Sequence, residues 1–255
     1  GANGAYGAGL LVGWTATGER PEFSMVTGVS TGALTAPFAF LGPDYDDEMQ
    51  EVYTSTTTKD IAVERNLFAA AFGDSITDTA PLKKLIAKYI RDEMIDAIAR
   101  EHKRGRRLFI GTVNLDAGRS VIWNIGAIAA SDHPQKTALI RELLRASAAI
   151  PVAFPPIIIP VEAEGQQYDE MHVDGGITGQ IFLLPSPTTD EEMHSLSETT
   201  AYLIRNSQLV PPYAPLKPKA ILPAIMPEMF RSVAVGSLYP KYGQPYHPAQ
   251  PCCLF

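Results

Sequence analysis

Cysteine is nearly absent from this sequence, which excludes the small proteins that depend on disulfide bonds for stability. The two cysteines, Cys252 and Cys253, are adjacent and close to the end of the 255 residues. Neighbouring cysteines seldom form an unstrained disulfide bond, so we expect no disulfide framework. Two cysteines without a cluster of histidines also argue against a structural zinc site, and the sequence implies no other metal and no cofactor.

Long apolar runs and an excess of positive charge are missing as well. No run of about eighteen apolar residues occurs, so we expect no membrane-spanning helix. Lysine and arginine total 21 against 28 aspartates and glutamates, which gives a formal net charge of −7. Proteins that bind nucleic acid by neutralising phosphates are usually basic, so this charge argues against a nucleic-acid partner. The opening GANGAYGAG also lacks the basic and apolar segments of a secretory signal.

The length of 255 residues suits one large α/β domain or two small ones, and a hydrophobic fraction of 45% is typical of a globular protein that buries a core. Short apolar segments alternate with longer segments of helical periodicity, which predicts a layered α/β fold. The predicted strands are residues 23–27, 108–113, 120–125, 157–161 and 167–173. The predicted helices are residues 6–14, 33–41, 81–102 and 136–147. We expect one domain over residues 1–230, with a polar mobile segment at 185–200, and an irregular proline-rich tail over residues 231–255.

A serine between two glycines follows the first predicted strand and precedes a predicted helix. The residues are Gly28-Val29-Ser30-Thr31-Gly32. A sharp turn between a strand and a helix exposes a nucleophilic serine in many hydrolases, and the helix N-terminus adds a positive dipole end. The alternative is a glycine-rich turn without chemistry. A nucleophilic Ser30 would also need a base within hydrogen-bonding distance.

Two kinds of base are open to Ser30. A triad would use one of five histidines, each of which lies in a context more typical of a structural or solvated side chain: His102, His133, His172, His194 and His247. A dyad would use Asp174, which ends a predicted strand and precedes Gly175 and Gly176. A carboxylate at a strand end with a tight turn behind it is well placed as a general base, although Asp-Gly turns without function are common.

The chain resembles the patatin-like phospholipases through four segments that occur in the family's order. Asp174-Gly175-Gly176 is similar to its D-G-[AG] motif, and residues 28–32 are similar to its nucleophile elbow. Residues 147–156, SAAIPVAFPP, are similar to its S-x-A-x-P-x-x-F-P-P segment. The opening Gly1-Ala2-Asn3-Gly4 is similar to the end of its glycine-rich oxyanion loop, G-G-G-x-[RK]-G. Residues 201–206 are similar to the bacterial branch of the family.

The resemblance implies a three-layer α/β/α sandwich with a mostly parallel central sheet, and a hydrolase of lipid acyl esters. Ser30 and Asp174 would form a catalytic dyad without histidine, and amides of the loop at Gly1–Gly4 would stabilise the oxyanion. The implied partners are a lipid or ester substrate and a peripheral contact with a membrane, in a bacterial cytoplasm or cell envelope. The remaining motif residues would shape the site: Gly28, Thr31, Gly32, Gly175 and Gly176.

The chain departs from the family pattern at its beginning. Asn3 stands where the family has arginine or lysine, and the first glycines of the loop and the strand before them are missing, so we expect an N-terminal truncation. An inactive lipid-binding relative is therefore one alternative, and an α/β-hydrolase that uses His194 is another. Two further features are open: a basic run at 103–107 that either contacts lipid head groups or is a solvated turn, and an apolar run at 154–160 that either lines an acyl site or belongs to the core.

Overall fold

A computed structural model describes residues 4–55, 63–64, 77–151, 153–179, 181–182 and 199–206. The predicted tail at 231–255 and most of the predicted mobile segment at 185–200 lie outside these residues. Gly1, Ala2 and Asn3 of the expected oxyanion loop lie outside them too. The described residues form an α/β unit that contains both members of the expected dyad, Ser30 and Asp174.

Helices and strands alternate along the chain much as the periodicity predicts. The helices are α1 (Gly4–Ala16), α2 (Thr31–Leu41), α3 (Asp46–Ser55), α4 (Ala80–Tyr89), α5 (Asp92–Lys103), α6 (Ile125–Ala130) and α7 (Lys136–Ser147). The strands are β1 (Met25–Val29), β2 (Val63–Glu64), β3 (Thr77–Asp78), β4 (Arg107–Asn114), β5 (Arg119–Asn124), β6 (Ile157–Ala163) and β7 (Gln166–Asp174). Short 3-10 turns cover Pro43–Tyr45 and Gly175–Ile177.

The single helix predicted over residues 81–102 is wrong, because the structure has two helices with a break at Ile90 and Arg91. Arg91 has extended backbone dihedrals, and the two acidic residues after it suit the first turn of a new helix. The carbonyl of Ile90, which the break frees, accepts a hydrogen bond from Nε of Arg141 at 2.8 Å. Apolar periodicity continued through the break because Ile90 itself is buried.

Five of the described strands form one sheet in which β4 is central. β1 pairs with β4 in parallel. The other three pairings are antiparallel: β5 with β4, β7 with β4, and β6 with β7. The predicted hairpin of β4 and β5 is confirmed. The sheet is therefore mixed in the described part of the chain, and β2 and β3 form a separate two-stranded pair.

The core lies between this sheet and the helices packed on it. α2 packs against β1, and α7 packs against β4, β6 and β7. Ile140, Leu143, Leu144 and Ser147 recur at helical spacing on the buried side of α7. A polar residue therefore ends an otherwise apolar helical face, directly against the sheet.

Candidate active site

Two strands end at the same place on one edge of β4. β1 runs along this edge until Val29 lies opposite Gly111, and β7 approaches from the other direction until Asp174 lies opposite Thr112. β5 occupies the other edge over the same residues, so β1 and β7 lie end to end along a shared edge. The residue after β1, Ser30, therefore meets the last residue of β7.

Ser30 has a strained backbone at the turn from β1 into α2. Its φ of 56° and ψ of −127° lie in a sparsely populated region for a residue with a side chain. Such a conformation costs on the order of 1–3 kcal/mol and persists only where the surroundings hold it. A methyl group on Gly28 would lie 2.6 Å from the carbonyl oxygen of Gly32, so the turn requires glycine there. Gly32 faces open space, so no steric contact requires its glycine.

The hydroxyl of Ser30 donates a hydrogen bond to the carboxylate of Asp174. The distance from Oγ to Oδ2 is 2.6 Å, and Asp174 is 2% exposed. Burial is the main influence on this carboxyl group and raises its pKa to about 6, while hydrogen bonds from Ser30 and the Gly176 amide act in the opposite direction. The carboxylate is thus mostly ionised at neutral pH and holds a pKa suited to accepting a proton.

Asp174 is held by the turn that follows it. Its Oδ1 accepts a hydrogen bond from the Gly176 amide at 2.7 Å, so the side chain caps the 3-10 turn. A methyl group on Gly175 would lie 2.6 Å from the carbonyl oxygen of Gly111, which explains the need for glycine at this close approach. The same carboxylate therefore caps the turn through Oδ1 and accepts the hydrogen bond from Ser30 through Oδ2.

Backbone amides at the start of α2 lie directly beside Ser30. Thr31 and Gly32 are the first residues of the helix, where amide N–H groups have no acceptor within the helix. Two hydrogen bonds of Thr35 stabilise the first turn of α2. Its Oγ1 donates to the Thr31 carbonyl at 3.1 Å and is hydrogen-bonded to the Tyr53 hydroxyl at 2.7 Å. Burial raises the pKa of Tyr53, so this phenol stays neutral.

The structure brings most of the expected site residues together at this junction. Gly4 begins α1 close to the elbow, since a methyl group on it would lie 3.2 Å from Cβ of Thr31. The residues at the junction itself are Ser30, Asp174, Gly28, Thr31, Gly32, Gly175 and Gly176.

His172 lies two residues before Asp174 but does not bond to Ser30. It is fully buried, with Nδ1 2.9 Å from Thr112 Oγ1 and Nε2 3.0 Å from a carboxylate oxygen of Glu170. Both ring nitrogens are therefore engaged in a structural cluster. His194, which the triad alternative would use, lies outside the described residues.

Sequence reasoning missed a contact that Ser147 makes with the elbow. Its Oγ accepts a hydrogen bond from the Ser30 amide at 3.0 Å and donates one to the Gly111 carbonyl at 2.7 Å. The sequence does contain a signal for this contact. Ser147 is the first residue of the S-x-A-x-P segment, and it lies at helical spacing from the buried apolar residues of α7. Its contact with Ser30 spans 117 residues of sequence and follows from no local pattern.

The two runs that the sequence leaves open are each partly buried in the structure. Arg106, within the basic run at 103–107, is buried and pairs with Glu101 at 2.9 Å, and Arg104 pairs with the same carboxylate group. In the apolar run, Ile157 and Ile159 belong to the core, whereas Ile158 is half exposed. None of the contacts described above joins either run to Ser30 or Asp174.

Within the described residues, no helix is long and apolar enough to cross a membrane, and no group of three or more acidic, histidine or cysteine side chains is arranged to hold a metal ion. A search of curated proteins finds no match. The family model described as patatin-like phospholipase matches residues 1–185, well over half of the chain. The α/β architecture described above agrees with the fold of that family. The chain therefore belongs to the patatin-like phospholipases, a family of lipid acyl hydrolases.

Proposed function

We propose that this protein hydrolyses carboxylic esters of lipids with a catalytic dyad of Ser30 and Asp174. The observation that carries the proposal is the 2.6 Å hydrogen bond from the hydroxyl of a strained, turn-borne serine to a buried carboxylate. A serine hydroxyl is a weak nucleophile until a base accepts its proton. Asp174 supplies that base without a histidine.

In the first half of the reaction, Ser30 Oγ attacks the ester carbonyl while its proton passes to Asp174. The carbonyl oxygen becomes an oxyanion in a tetrahedral intermediate. When that intermediate collapses, the bond to the alcohol breaks and the leaving oxygen takes the proton from Asp174. The products of this half are the free alcohol, such as a lysophospholipid, and an acyl group esterified to Ser30.

In the second half, Asp174 accepts a proton from a water molecule that attacks the acyl group. The bond to Ser30 Oγ breaks, the serine regains the proton from Asp174, and a fatty acid leaves. The pKa of about 6 suits both halves, because Asp174 is ionised enough at neutral pH to accept a proton and acidic enough to return it.

Oxyanion stabilisation is assigned to backbone amides at the start of α2 and in the loop that enters α1. Preorganised N–H groups aimed at the developing charge lower the barrier by several kcal/mol, of order 3 kcal/mol for a single donor. The Thr31 amide lies next to the nucleophile, and Gly4 lies close to Thr31. Gly1, Ala2 and Asn3 complete the proposed loop, in which Asn3 offers an amide side chain in place of a positive charge.

A peripheral contact with a lipid surface is part of the proposal. α1 has no charged residue, and its side chains Tyr6 and Leu10 are 63% and 43% exposed. Apolar and aromatic side chains on an exposed helix face favour the boundary between lipid and water. Because α1 begins beside the elbow, such a contact would bring the site close to its ester substrate.

The test is covalent labelling with a fluorophosphonate probe, which reacts with activated serines. We expect the parent chain to be labelled and Ser30→Ala not to be. Ser24→Ala is the matched control, because Ser24 is an exposed serine that directly precedes β1, at the end of the strand opposite to Ser30. Labelling that persists in Ser30→Ala, or a folded parent chain that neither labels nor hydrolyses lipid esters, would contradict the proposal.

A further inference from the structure

The C-terminal end of α7 bonds to both members of the proposed dyad. The Ser147 hydroxyl accepts the Ser30 amide N–H at 3.0 Å. Two residues later, the Ala149 carbonyl accepts the Asp174 amide N–H at 2.9 Å. Ser147 and Ala149 are both buried, at 0% and 1% exposure. One short segment therefore contacts the backbone of the nucleophile and the backbone of the base.

We infer that Ser147 is a positioning residue for the Ser30–Asp174 pair, and that the segment 147–149 sets the separation of the two side chains. This inference rests on the proposed function for its effect on catalysis. Its structural content, the restraint of the Ser30 amide by Ser147, stands independently of that function. Ser147 touches no reacting atom, so its contribution acts through the conformation of Ser30.

The chemistry of a hydroxyl group suits this role. A serine side chain has one donor and two acceptor sites, so Ser147 accepts from Ser30 and donates to the Gly111 carbonyl at the same time. Gly111 is the β4 residue opposite Val29, the last residue of β1. These two hydrogen bonds of Ser147 form a bridge, which links the strained turn at Ser30 to the central strand β4 at the point where β1 ends.

Loss of the bridge would leave two polar groups without their partner in a buried place. A buried donor or acceptor without a partner is unfavourable, and the strain at Ser30 would relax the turn towards a commoner conformation. A shift of about 1 Å in a reacting group is enough to reduce a rate about a hundredfold. We therefore expect Ser147 to matter more for turnover than for the affinity for substrate.

The bridge also constrains the oxyanion site. The amide of Ser30 is already bonded to Ser147, so it is not available to the oxyanion. The donors must then come from other amides: that of Thr31 at the start of α2, whose position in the helix leaves it without an acceptor there, and those of the loop that enters α1.

These contacts suggest a physical reason for each of the three residue types in the S-x-A-x-P segment. Ser147 contributes its side chain, Ala149 contributes its carbonyl, and Pro151 follows the end of α7, where it cannot continue a helix. The buried Ala149 side chain leaves room for the close approach of β7. Spacing of two residues thus places one contact on each member of the proposed dyad.

The experiment compares Ser147→Ala and Ser147→Cys with the parent chain and with Thr79→Ala. Thr79 is a buried hydroxyl residue of similar exposure that accepts a hydrogen bond from Arg145, so its loss tests stability without touching the elbow. The readouts are the rate of fluorophosphonate labelling, kcat and KM with a lipid ester, thermal melting, and hydrogen exchange of the Ser30 amide.

We expect Ser147→Ala to lower kcat and the labelling rate by about ten- to a hundredfold with KM little changed, and to accelerate exchange of the Ser30 amide by about tenfold. Ser147→Cys, which keeps the volume and a weak donor, should fall between the parent and Ser147→Ala. Thr79→Ala should lower the melting temperature but leave kcat and Ser30 exchange unchanged.

A labelling rate and a Ser30 exchange rate that both stay at the parent values in Ser147→Ala would overturn the inference. So would an equal loss of kcat in Thr79→Ala, because the effect would then be general destabilisation. If the parent chain itself neither labels nor turns over, the proposed function fails, and exchange of the Ser30 amide still decides the inference: faster exchange supports the restraint and unchanged exchange refutes it.

Discussion

Two polar clusters contact neighbouring residues of β4, and they differ in that the first includes Ser30, the proposed nucleophile, whereas the second does not. The dyad cluster consists of Ser30, Asp174, Ser147 and the carbonyl of Gly111. The histidine cluster consists of Thr112, Trp123, His172 and Glu170, in which Trp123 Nε1 donates to Thr112 Oγ1 at 2.8 Å. Asp174 and His172 are two residues apart on β7, so their side chains lie on the same side of the sheet.

His172 and Asp174 are close in sequence, but their hydrogen-bond partners differ, and those partners decide which side chain reaches Ser30. The Glu170 carboxylate only accepts hydrogen bonds, so Nε2 of His172 carries a proton, and Nδ1 is bonded to Thr112. Such a histidine has no free nitrogen to offer Ser30. Asp174 keeps one oxygen for the Gly176 amide and turns the other to the serine. The carboxylate, and not the imidazole, is therefore the group that bonds to the proposed nucleophile.

Replacement of Asp174 gives the largest expected effect, and the effects on activity and stability have opposite signs. Asp174→Asn keeps the shape of the side chain and the acceptor for Gly176 but removes the base, so we expect turnover to fall by about a thousandfold or more. Burial holds the folded-state pKa at about 6, above the ordinary 3.8. Asparagine removes this buried charge, so at pH 7 the variant should be more stable by up to about 3 kcal/mol. Kinetics and denaturant unfolding measure the two effects.

The sign of the stability change follows from the same pKa. The contribution of Asp174 to stability is fully present below about pH 3.8 and is lost as pH rises through about 6, because the unfolded chain ionises first. Asp174→Asn should abolish this part of the pH dependence. A variant that is less stable than the parent at pH 7 would show that the ionised carboxylate is a net stabilising group, contrary to the buried-base interpretation.

The pH dependence of labelling gives the next largest effect. Only the ionised form of Asp174 accepts a proton, so the labelling rate should fall about tenfold for each pH unit below about 6 and level off above it. Measurement of labelling between pH 4.5 and 8 on the parent chain, with circular dichroism to confirm folding at each pH, tests this. A rate that stays constant across the range in folded protein would exclude Asp174 as the titrating base.

Replacement of His172 should have the smallest effect on activity, and it tests directly whether the histidine cluster contributes to the reaction. His172→Ala removes a buried ring from between Thr112 and Glu170, so we expect the free energy of unfolding to fall by about 2–4 kcal/mol. The rate per folded molecule should stay within about tenfold of the parent, and the midpoint of its pH profile should not move. His172→Gln, which retains polar groups on the side chain, should recover part of the stability.

Complete loss of labelling in folded His172→Ala would reverse the comparison and make the histidine cluster part of the catalytic machinery. Loss of stability alone would confirm its structural role. Thermal melting and the labelling rate measured on the same preparation separate these outcomes, because the fraction of folded protein is then known at the temperature of the assay.

Local features of the sequence identified most of the elements and the two ends of the proposed dyad. The turn at Ser30 was readable because small residues separate a β-rich segment from a helical one, and the strand end at Asp174 because two glycines follow it. A single helix over 81–102 is a wrong prediction, because apolar spacing persists through the break at Ile90 and Arg91. Periodicity reports which residues are buried, and a short interruption between two buried helices leaves that pattern almost unchanged.

The composition of the site is predictable from the residues alone: a serine in a glycine-rich turn, a carboxylate at a strand end, and helices and strands with the periodicity that buries one face. The meeting of the ends of β1 and β7 on one edge of β4, and the hydrogen bonds by which Ser147 links the turn to that strand, depend on how the whole chain packs. Hydrogen bonds between strands, and contacts such as that of Ser30 with Asp174 across 144 residues, depend on chain topology. Local spacing carries no information about which strand ends meet, because packing of the whole core selects the pairing.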